Sequence, residues 1–150
     1  MVRECPCDRT AGGDEVGRRI AQTVGYMRES LNQTVQVPKL ARLANISPSH
    51  FFAVFKKQTG FAPLDYFIRL RMQRACELLD ATALSVKEVA GALGYDDPFY
   101  FSRVFKSVNG VAPTDYRRLE QSHRRAISDA VLALRNGCAA ALRVQRIESV

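Results

Sequence analysis

Residues 47–66 read SPSHFFAVFKKQTGFAPLDY, and residues 97–116 read DPFYFSRVFKSVNGVAPTDY. Ten of the twenty positions are identical, and the two copies start fifty residues apart. A repeat of this length is a supersecondary unit that the chain uses twice. Each copy opens with a capping residue before a proline and continues to a glycine. This pattern predicts one helix over residues 48–59 and a second over residues 98–109.

A small residue and a turn residue precede each copy at the same spacing. Ala41 stands four residues before Asn45, and Ala90 stands four residues before Gly94. In a helix-turn-helix the two helices cross closely, so a small side chain is needed where they touch. The turn needs a residue that tolerates a left-handed backbone. The sequence therefore predicts two helix-turn-helix units, the second with one extra turn residue around positions 95–97.

Helical signals continue between the two copies. Ala62 and Pro63 restart the chain as a helix that runs to about Ala81. Ser85 followed by Glu88 has the form of a capping box, in which each residue satisfies a backbone N–H of the other. The capping box opens the helix that leads into the second turn.

The residues before the first copy are also helical in pattern. Apolar residues recur at helical steps from Gly17 to about Gln33, and Pro38 suits the first position of a short helix that ends at Asn45. No segment shows the alternation of a strand. We therefore expect an all-α fold of about seven helices. It comprises a first helix-turn-helix subdomain (18–61), a long central linker helix (62–81) and a second helix-turn-helix subdomain (82–118).

The two ends of the chain lie outside this pattern. Residues 1–17 hold two arginines against four acidic residues and are predicted to be a disordered leader. In the C-terminal extension, residues 119–150, Ile127, Val131 and Leu134 fall at helical spacing, and residues 138–144 suit a further helix. We expect the extension to pack on the domain as a helix. A dimer contact and disorder are the alternatives.

The charge distribution indicates the partner. The net charge is +7, and residues 18–118 hold fifteen Lys and Arg against eight Asp and Glu. A basic domain of this size has nucleic acid as its leading polyanionic partner. No apolar run approaches the roughly 20 residues of a membrane span, and the N-terminal residues lack the apolar stretch of a signal peptide. We expect a cytoplasmic protein.

Several motifs together resemble the DNA-binding domain of AraC/XylS-type transcriptional regulators. They are the two Ala-x-x-x-Asn/Gly turns, the two Phe-x-x-Val-Phe-Lys helices, the two Gly-x-Ala-Pro-x-Asp-Tyr endings and RLRMQRACELL at 69–79. The resemblance covers about residues 18–118, and GYDDPFYFSRVFK at 94–106 is its most characteristic stretch. It implies a sequence-specific regulator whose partners are double-stranded DNA, on the bacterial nucleoid, and RNA polymerase. Such regulators commonly carry an effector-sensing domain, so we expect either a stand-alone regulator or a piece of a longer protein.

The base-reading candidates are the residues of the two repeat helices that do not face the predicted core. In the first helix they are Ser49, His50, Phe52 and Ala53. In the second helix they are Phe99, Tyr100, Ser102 and Arg103. Arg103 is the strongest of them, because its guanidinium can donate two hydrogen bonds to the O6 and N7 atoms of guanine. Phe52 and Ala53 suit thymine methyl groups, and packing of Phe52 against a neighbouring helix is the alternative.

A second set of residues is expected to hold the phosphate backbone without reading bases. The candidates are two helix caps and six basic side chains: Ser47, Lys56, Lys57, Arg69, Arg71, Arg74, Asp97 and Lys106. Contacts of this kind set affinity and register. The linker helix is long enough to place the two reading helices in neighbouring major grooves. Because the two copies differ at their outward positions, we expect one monomer to bind an asymmetric site.

Two other classes of function share parts of this pattern. A DNA-repair enzyme with a thiol acceptor is suggested by Cys5 and Cys7, but no metal-ligand spacing, nucleophile with a base partner or phosphate-binding glycine loop is present in the sequence. We therefore expect no enzymatic activity, no cofactor and no metal. A non-specific architectural DNA-binding protein shares the basic charge, and lacks the specificity ratio of about 10³ or more that a regulator has.

Overall fold

The computed structural model describes residues 7–119 and 121–132. Regular structure in these residues is entirely helical, which confirms the all-α prediction for them. The helices are α1 (Cys7–Glu29), α2 (Val37–Leu43), α3 (Pro48–Thr59), α4 (Pro63–Ala81), α5 (Val86–Ala92), α6 (Pro98–Asn109), α7 (Pro113–Arg118) and α8 (Gln121–Leu132). Within the described ranges, no helix has both the length and the apolar character that a bilayer crossing requires.

The first helix starts earlier than its apolar stripe predicts. Residues 7–17, for which we expect disorder, form the opening turns of α1. Val16 packs against the first core, so the apolar stripe extends one turn before Ile20. Glu15 forms ion pairs with Arg18 at 3.2 Å and Arg19 at 3.1 Å, at the i, i+3 and i, i+4 spacings that support a helix. Packing and local ion pairs thus continue the helix into the acidic segment.

Each helix-turn-helix has a hydrophobic core of its own, and α4 contributes to both. In the first core the ring of Phe55 meets Tyr66 edge to face at 5.3 Å. In the second core Phe105 meets Tyr116 in the same way at 5.6 Å. These four aromatic residues are identical between the two copies of the repeat. The identities of the repeat are therefore largely the residues that hold each core together.

The two turns have the backbone geometry that their sequences predict. Asn45 has φ +55° and Gly94 has φ +77°, both in the left-handed region. The amide of Tyr95, which follows Gly94, donates to the carbonyl of Ala90 at 2.9 Å, and the first turn has the equivalent bond. Ala90 is only 1% exposed, as expected for a small residue where two helices cross closely. The predicted extra residue of the second turn is present, since five residues separate α5 from α6 and four separate α2 from α3.

Arg71 joins the two subdomains from the middle of α4. Its guanidinium donates to the carbonyl of Leu31 at 2.8 Å and to the carbonyl of Gln33 at 2.5 Å, both in the loop after α1. The same guanidinium lies over the ring of Phe67 at 4.6 Å and over the ring of Tyr95 at 5.1 Å. One side chain therefore ties the first subdomain to the turn of the second.

Gly94 makes the other close contact between the subdomains. A methyl group added at Gly94 would overlap the carbonyl oxygen of Asn32 and would lie 2.8 Å from its carbonyl carbon. The turn of the second helix-turn-helix thus rests directly on backbone of the first. We call this contact region, formed by residues 31–33, Arg71, Gly94 and Tyr95, the subdomain seam. It fixes the position of α6 relative to α3.

The last described helix packs on the second subdomain. In α8, Arg124 forms an ion pair with Asp80 of α4 at 3.2 Å, and Tyr116 donates to the same carboxylate at 3.0 Å. Ile127 packs against the second core. The further helix considered for residues 138–144 lies outside the described residues.

Candidate nucleic-acid interface

The two helices α3 and α6 begin in the same way. Ser47 precedes Pro48, and its hydroxyl accepts a hydrogen bond from the amide of His50 at 3.3 Å. Asp97 precedes Pro98, and its carboxylate accepts from the amide of Phe99 at 2.8 Å. Both capping side chains are thus engaged by their own helix. At Ser47 and Asp97 the groups left for a phosphate are the remaining backbone N–H groups of the first turn.

The outward face of α3 combines polar and apolar side chains. Phe51 and Phe55 are fully buried, so the opposite side of the helix faces away from the core. Ser49, His50 and Ala53 are exposed there. Phe52 is 43% exposed, which shows that its ring is not packed into the core between the helices. At 100° per residue, Ala53 lies near the centre of this face.

The outward face of α6 carries larger groups. Phe99 is 81% exposed and Tyr100 is 51% exposed, and the guanidinium of Arg103 lies 5.9 Å from the ring centre of Tyr100. Arg103 is at the position that Ala53 has in α3. Ser102 differs from the other candidates, because it is half-buried and its hydroxyl donates to the carbonyl of Pro98 at 2.8 Å. Its hydroxyl is therefore used within the helix.

The basic candidates for phosphate contact separate into exposed and internal groups. Lys56, Lys57 and Lys106 are exposed on α3 and α6, close to the reading faces. Arg74 is exposed on α4 and forms an ion pair with Glu77 at 2.7 Å. These side chains are accessible to a polyanion, and the Arg74 pair is of the weak exposed kind.

Arg71 differs from the other phosphate candidates, because its guanidinium already has partners within the protein. Its guanidinium is occupied by two backbone carbonyls and two aromatic rings of the subdomain seam, as described above. Its neighbour Arg69 is half-buried, with its guanidinium 4.5 Å from the ring centre of Phe61. Burial lowers the pKa of Arg69, and the opposing effect of Asp65 is smaller. From the sequence alone, an arginine of an amphipathic helix that contacts DNA cannot be distinguished from one that stabilises the fold.

The start of α4 also contributes to the surface around the second reading helix. A groove of about 470 Å³ between α4 and α6 is lined by Asp65, Arg69, Tyr100 and Arg103, together with Ser107 and apolar residues. Asp65 carries no predicted role in the sequence analysis. Asp65 and Arg103 line the same groove because two helices that are distant in sequence meet there, which no local pattern signals.

Among the described residues, potential metal ligands are scattered and Cys76 is a buried free cysteine. No group of three or more His, Cys, Asp or Glu residues is placed there to hold a metal ion. Cys76 is buried in the second core, where its thiol lies 3.8 Å from the side-chain oxygen of Asn109. Burial raises the pKa of the Cys76 thiol to about 12, so the thiol stays protonated at neutral pH.

Comparison with protein families assigns the two helix-turn-helix units. Residues 40–119, more than half of the chain, match the family model described as a helix-turn-helix domain, which is of the AraC type. The chain belongs to the AraC/XylS family. The matched range begins in α2 and ends directly after α7, so α1 and α8 of this AraC-family chain lie outside it.

Curated relatives of this AraC-family chain are regulatory proteins of bacteria. It is 43% identical over 93 residues to the MmsAB operon regulatory protein of Pseudomonas aeruginosa, which covers 62% of this chain and 30% of that protein. It is 30% identical over 104 residues to the lactose operon transcription activator of Staphylococcus xylosus, which covers 69% of this chain and 37% of that protein. The chain thus spans about a third of the length of these relatives.

Solved structures of AraC-type domains share the fold. The DNA-binding domain of AdpA, described as a global transcriptional factor and solved with a target DNA, superposes with a TM-score of 0.64 and 33% identity, covering 71% of this chain and 96% of that one. The C-terminal domain of AraT, a response regulator from Geobacillus stearothermophilus, superposes with a TM-score of 0.63 and 30% identity, covering 69% and 88%. The AraC-family assignment therefore rests on sequence and on fold.

Proposed function

We propose that this AraC-family chain is a sequence-specific DNA-binding transcriptional regulator that reads two adjacent major grooves of one asymmetric site. The observation that carries the proposal is the pair of outward faces on α3 and α6. Both helices have equivalent caps and equivalent cores. They present different side chains at corresponding positions, and Arg103 of α6 stands where α3 has Ala53. A single chain with two unlike faces can bind a DNA site that is not a palindrome.

The length of α4 supports binding in neighbouring grooves. Its 19 residues span roughly 28 Å at 1.5 Å per residue. Successive major grooves on one side of B-DNA are roughly 34 Å apart, so a modest bend of the duplex brings both faces into register. The exposed lysines near the reading faces, Lys56, Lys57 and Lys106, supply sequence-independent attraction to the phosphates.

The expected partners follow from the same proposal. Double-stranded DNA on the bacterial nucleoid is the first, and RNA polymerase is the second, by analogy with relatives named as operon regulators and activators. The same names favour a regulator over a DNA-repair enzyme. Selection from a random duplex library at fixed salt tests the proposal. We expect enrichment of an asymmetric motif of about two helical turns, and equal affinity for unrelated duplexes would instead indicate an architectural protein.

Arg103→Ala is expected to relax base preference in one half of the selected site only. The reason is that a guanidinium bonded to O6 and N7 of guanine provides about 1–3 kcal/mol of discrimination at that base pair. The preference is measured as the ratio of dissociation constants for the selected duplex and for single base-pair changes in each half. Uniform weakening on all duplexes with the preference intact would reassign Arg103 to phosphate contact.

A further inference from the structure

The four base-reading candidates of α3 include no Arg, Lys, Asn or Gln, the side chains that usually read purines by paired hydrogen bonds. Ala53 lies near the centre of the outward face, and the ring of Phe52 beside it is 43% exposed. Ser49 and His50 are the only polar members of its reading set, and neither can form the two-bond pairings that Arg, Asn and Gln form with purines. Two of the four candidates, Phe52 and Ala53, can therefore offer only apolar contact to the base edges.

The ring of Phe52 is available for such contact. Phe51 and Phe55 on the buried side of α3 pack against one another with ring centres 5.4 Å apart. Phe52 makes no comparable ring contact with any aromatic residue in the described parts of the chain. The short side chain of Ala53 beside it lets the backbone of α3 approach a surface more closely than the long side chain of Arg103 allows in α6.

We infer that α3 reads the C5-methyl groups of thymine in its half of the site, with Phe52 and Ala53 as the contacting residues. The inference rests on the proposed function and names the chemistry of one of its two faces. The thymine methyl is the one apolar group on the base edges of the major groove, and alanine and phenylalanine side chains pack against it. The half-site read by α6 depends instead on hydrogen bonds from Arg103.

One consequence concerns a modified base. 5-Methylcytosine carries its methyl group at the same place in the major groove as thymine does. A face that detects the methyl group therefore accepts 5-methylcytosine in place of thymine better than it accepts cytosine. Methylation of cytosine at such a position strengthens binding of this protein.

The test uses the selected duplex and the full chain. The half read by α3 is the half in which Arg103→Ala leaves base preference unchanged. Each thymine in that half is replaced by deoxyuridine, which removes only the methyl group, and the dissociation constant is measured at fixed salt. We expect about a four-fold loss of affinity for each contacted methyl group, which corresponds to the burial of one such group. Cytosine and 5-methylcytosine at the same positions should differ by a similar factor, with the methylated base favoured.

Matched variants assign the effect to the proposed residues. Phe52→Ala should reduce the thymine-to-deoxyuridine ratio towards one, and Phe52→Leu, which keeps an apolar side chain, should retain most of it. Lys56→Ala on the same helix should weaken binding to both duplexes equally, because it changes a phosphate contact. Thermal unfolding of each variant measures whether the exposed substitution leaves the fold intact.

Two outcomes would overturn the inference while leaving the proposed function in place. One is equal affinity for the thymine and deoxyuridine duplexes, or a selected half-site without thymine. The other is a deoxyuridine effect that Phe52→Ala does not diminish. Failure to enrich any asymmetric site would instead refute the proposed function.

Discussion

Replacing Gly94 with alanine is expected to lower the free energy of unfolding by about 3 kcal/mol. Gly94 has φ +77°, and a side chain in the left-handed region costs about 1–2 kcal/mol. The added methyl group would also overlap the carbonyl oxygen of Asn32, and relief of such overpacking costs about 1–3 kcal/mol. Because the overlap is with backbone, the second turn must move away from the first subdomain. Urea unfolding of the variant measures the loss.

Gly110→Ala is the matched control for this substitution. Gly110 has φ +81°, and an alanine methyl group there would meet nothing within 4 Å among the described residues. Its loss of stability should therefore contain only the backbone contribution of about 1–2 kcal/mol. Equal losses of stability for the two variants would show that the close approach of Asn32 does not restrict the side chain at position 94. A larger loss at Gly94 should be accompanied by weaker binding to the two-groove site.

Arg71→Ala is expected to cost about 2–3 kcal/mol of stability and to loosen the spacing between the two reading faces. The substitution removes two charge-assisted hydrogen bonds to the carbonyls of Leu31 and Gln33 and the stacking on Tyr95. A hydrogen bond to a charged group contributes about 1.5–3 kcal/mol. Because Arg71 is only half-buried, the expected loss of stability lies below the sum for the two bonds. Stability is measured by urea unfolding.

The effect on DNA separates a seam residue from a phosphate contact. A rigid seam makes the wild-type protein discriminate strongly against one base pair inserted between the half-sites, and Arg71→Ala should reduce that discrimination. Arg74→Ala is the control, since Arg74 is exposed and paired only with Glu77, and its stability should change by no more than about 0.5 kcal/mol. If Arg71→Ala behaved like Arg74→Ala in unfolding and weakened all duplexes uniformly, the seam would not depend on Arg71.

Features set by neighbours in sequence are the ones that the sequence predicts well. The proline starts of α3 and α6, the capping box at Ser85 and the left-handed positions at Asn45 and Gly94 all depend on a few adjacent residues. Each is a local backbone requirement that only a small set of residue types can meet. The two cores also follow from the local sequence, because each amphipathic helix buries its apolar face against its neighbours.

Features set by distant residues are missed. Arg71 reads as one more cation on an amphipathic helix, and only the loop at 31–33 shows that its guanidinium is internal. The half-burial of Ser102 and the presence of Asp65 and Arg103 in one groove are likewise not visible in the local sequence. The early start of α1 depends on Val16 reaching a core built by later residues. Of these features only the Val16 contact leaves a periodic signal, because Val16 lies four residues before Ile20.

The repeat places the core residues and the proposed base-reading residues on different sides of the same helix. Phe101 and Phe105 are fully buried in α6, while Phe99 and Arg103 point outward from it. Exposed substitutions generally change stability by no more than about 0.5 kcal/mol. The outward positions of either copy are therefore free to vary through mutation without loss of the fold. After duplication of such a unit, one copy can acquire a different DNA preference while the other copy retains the original preference.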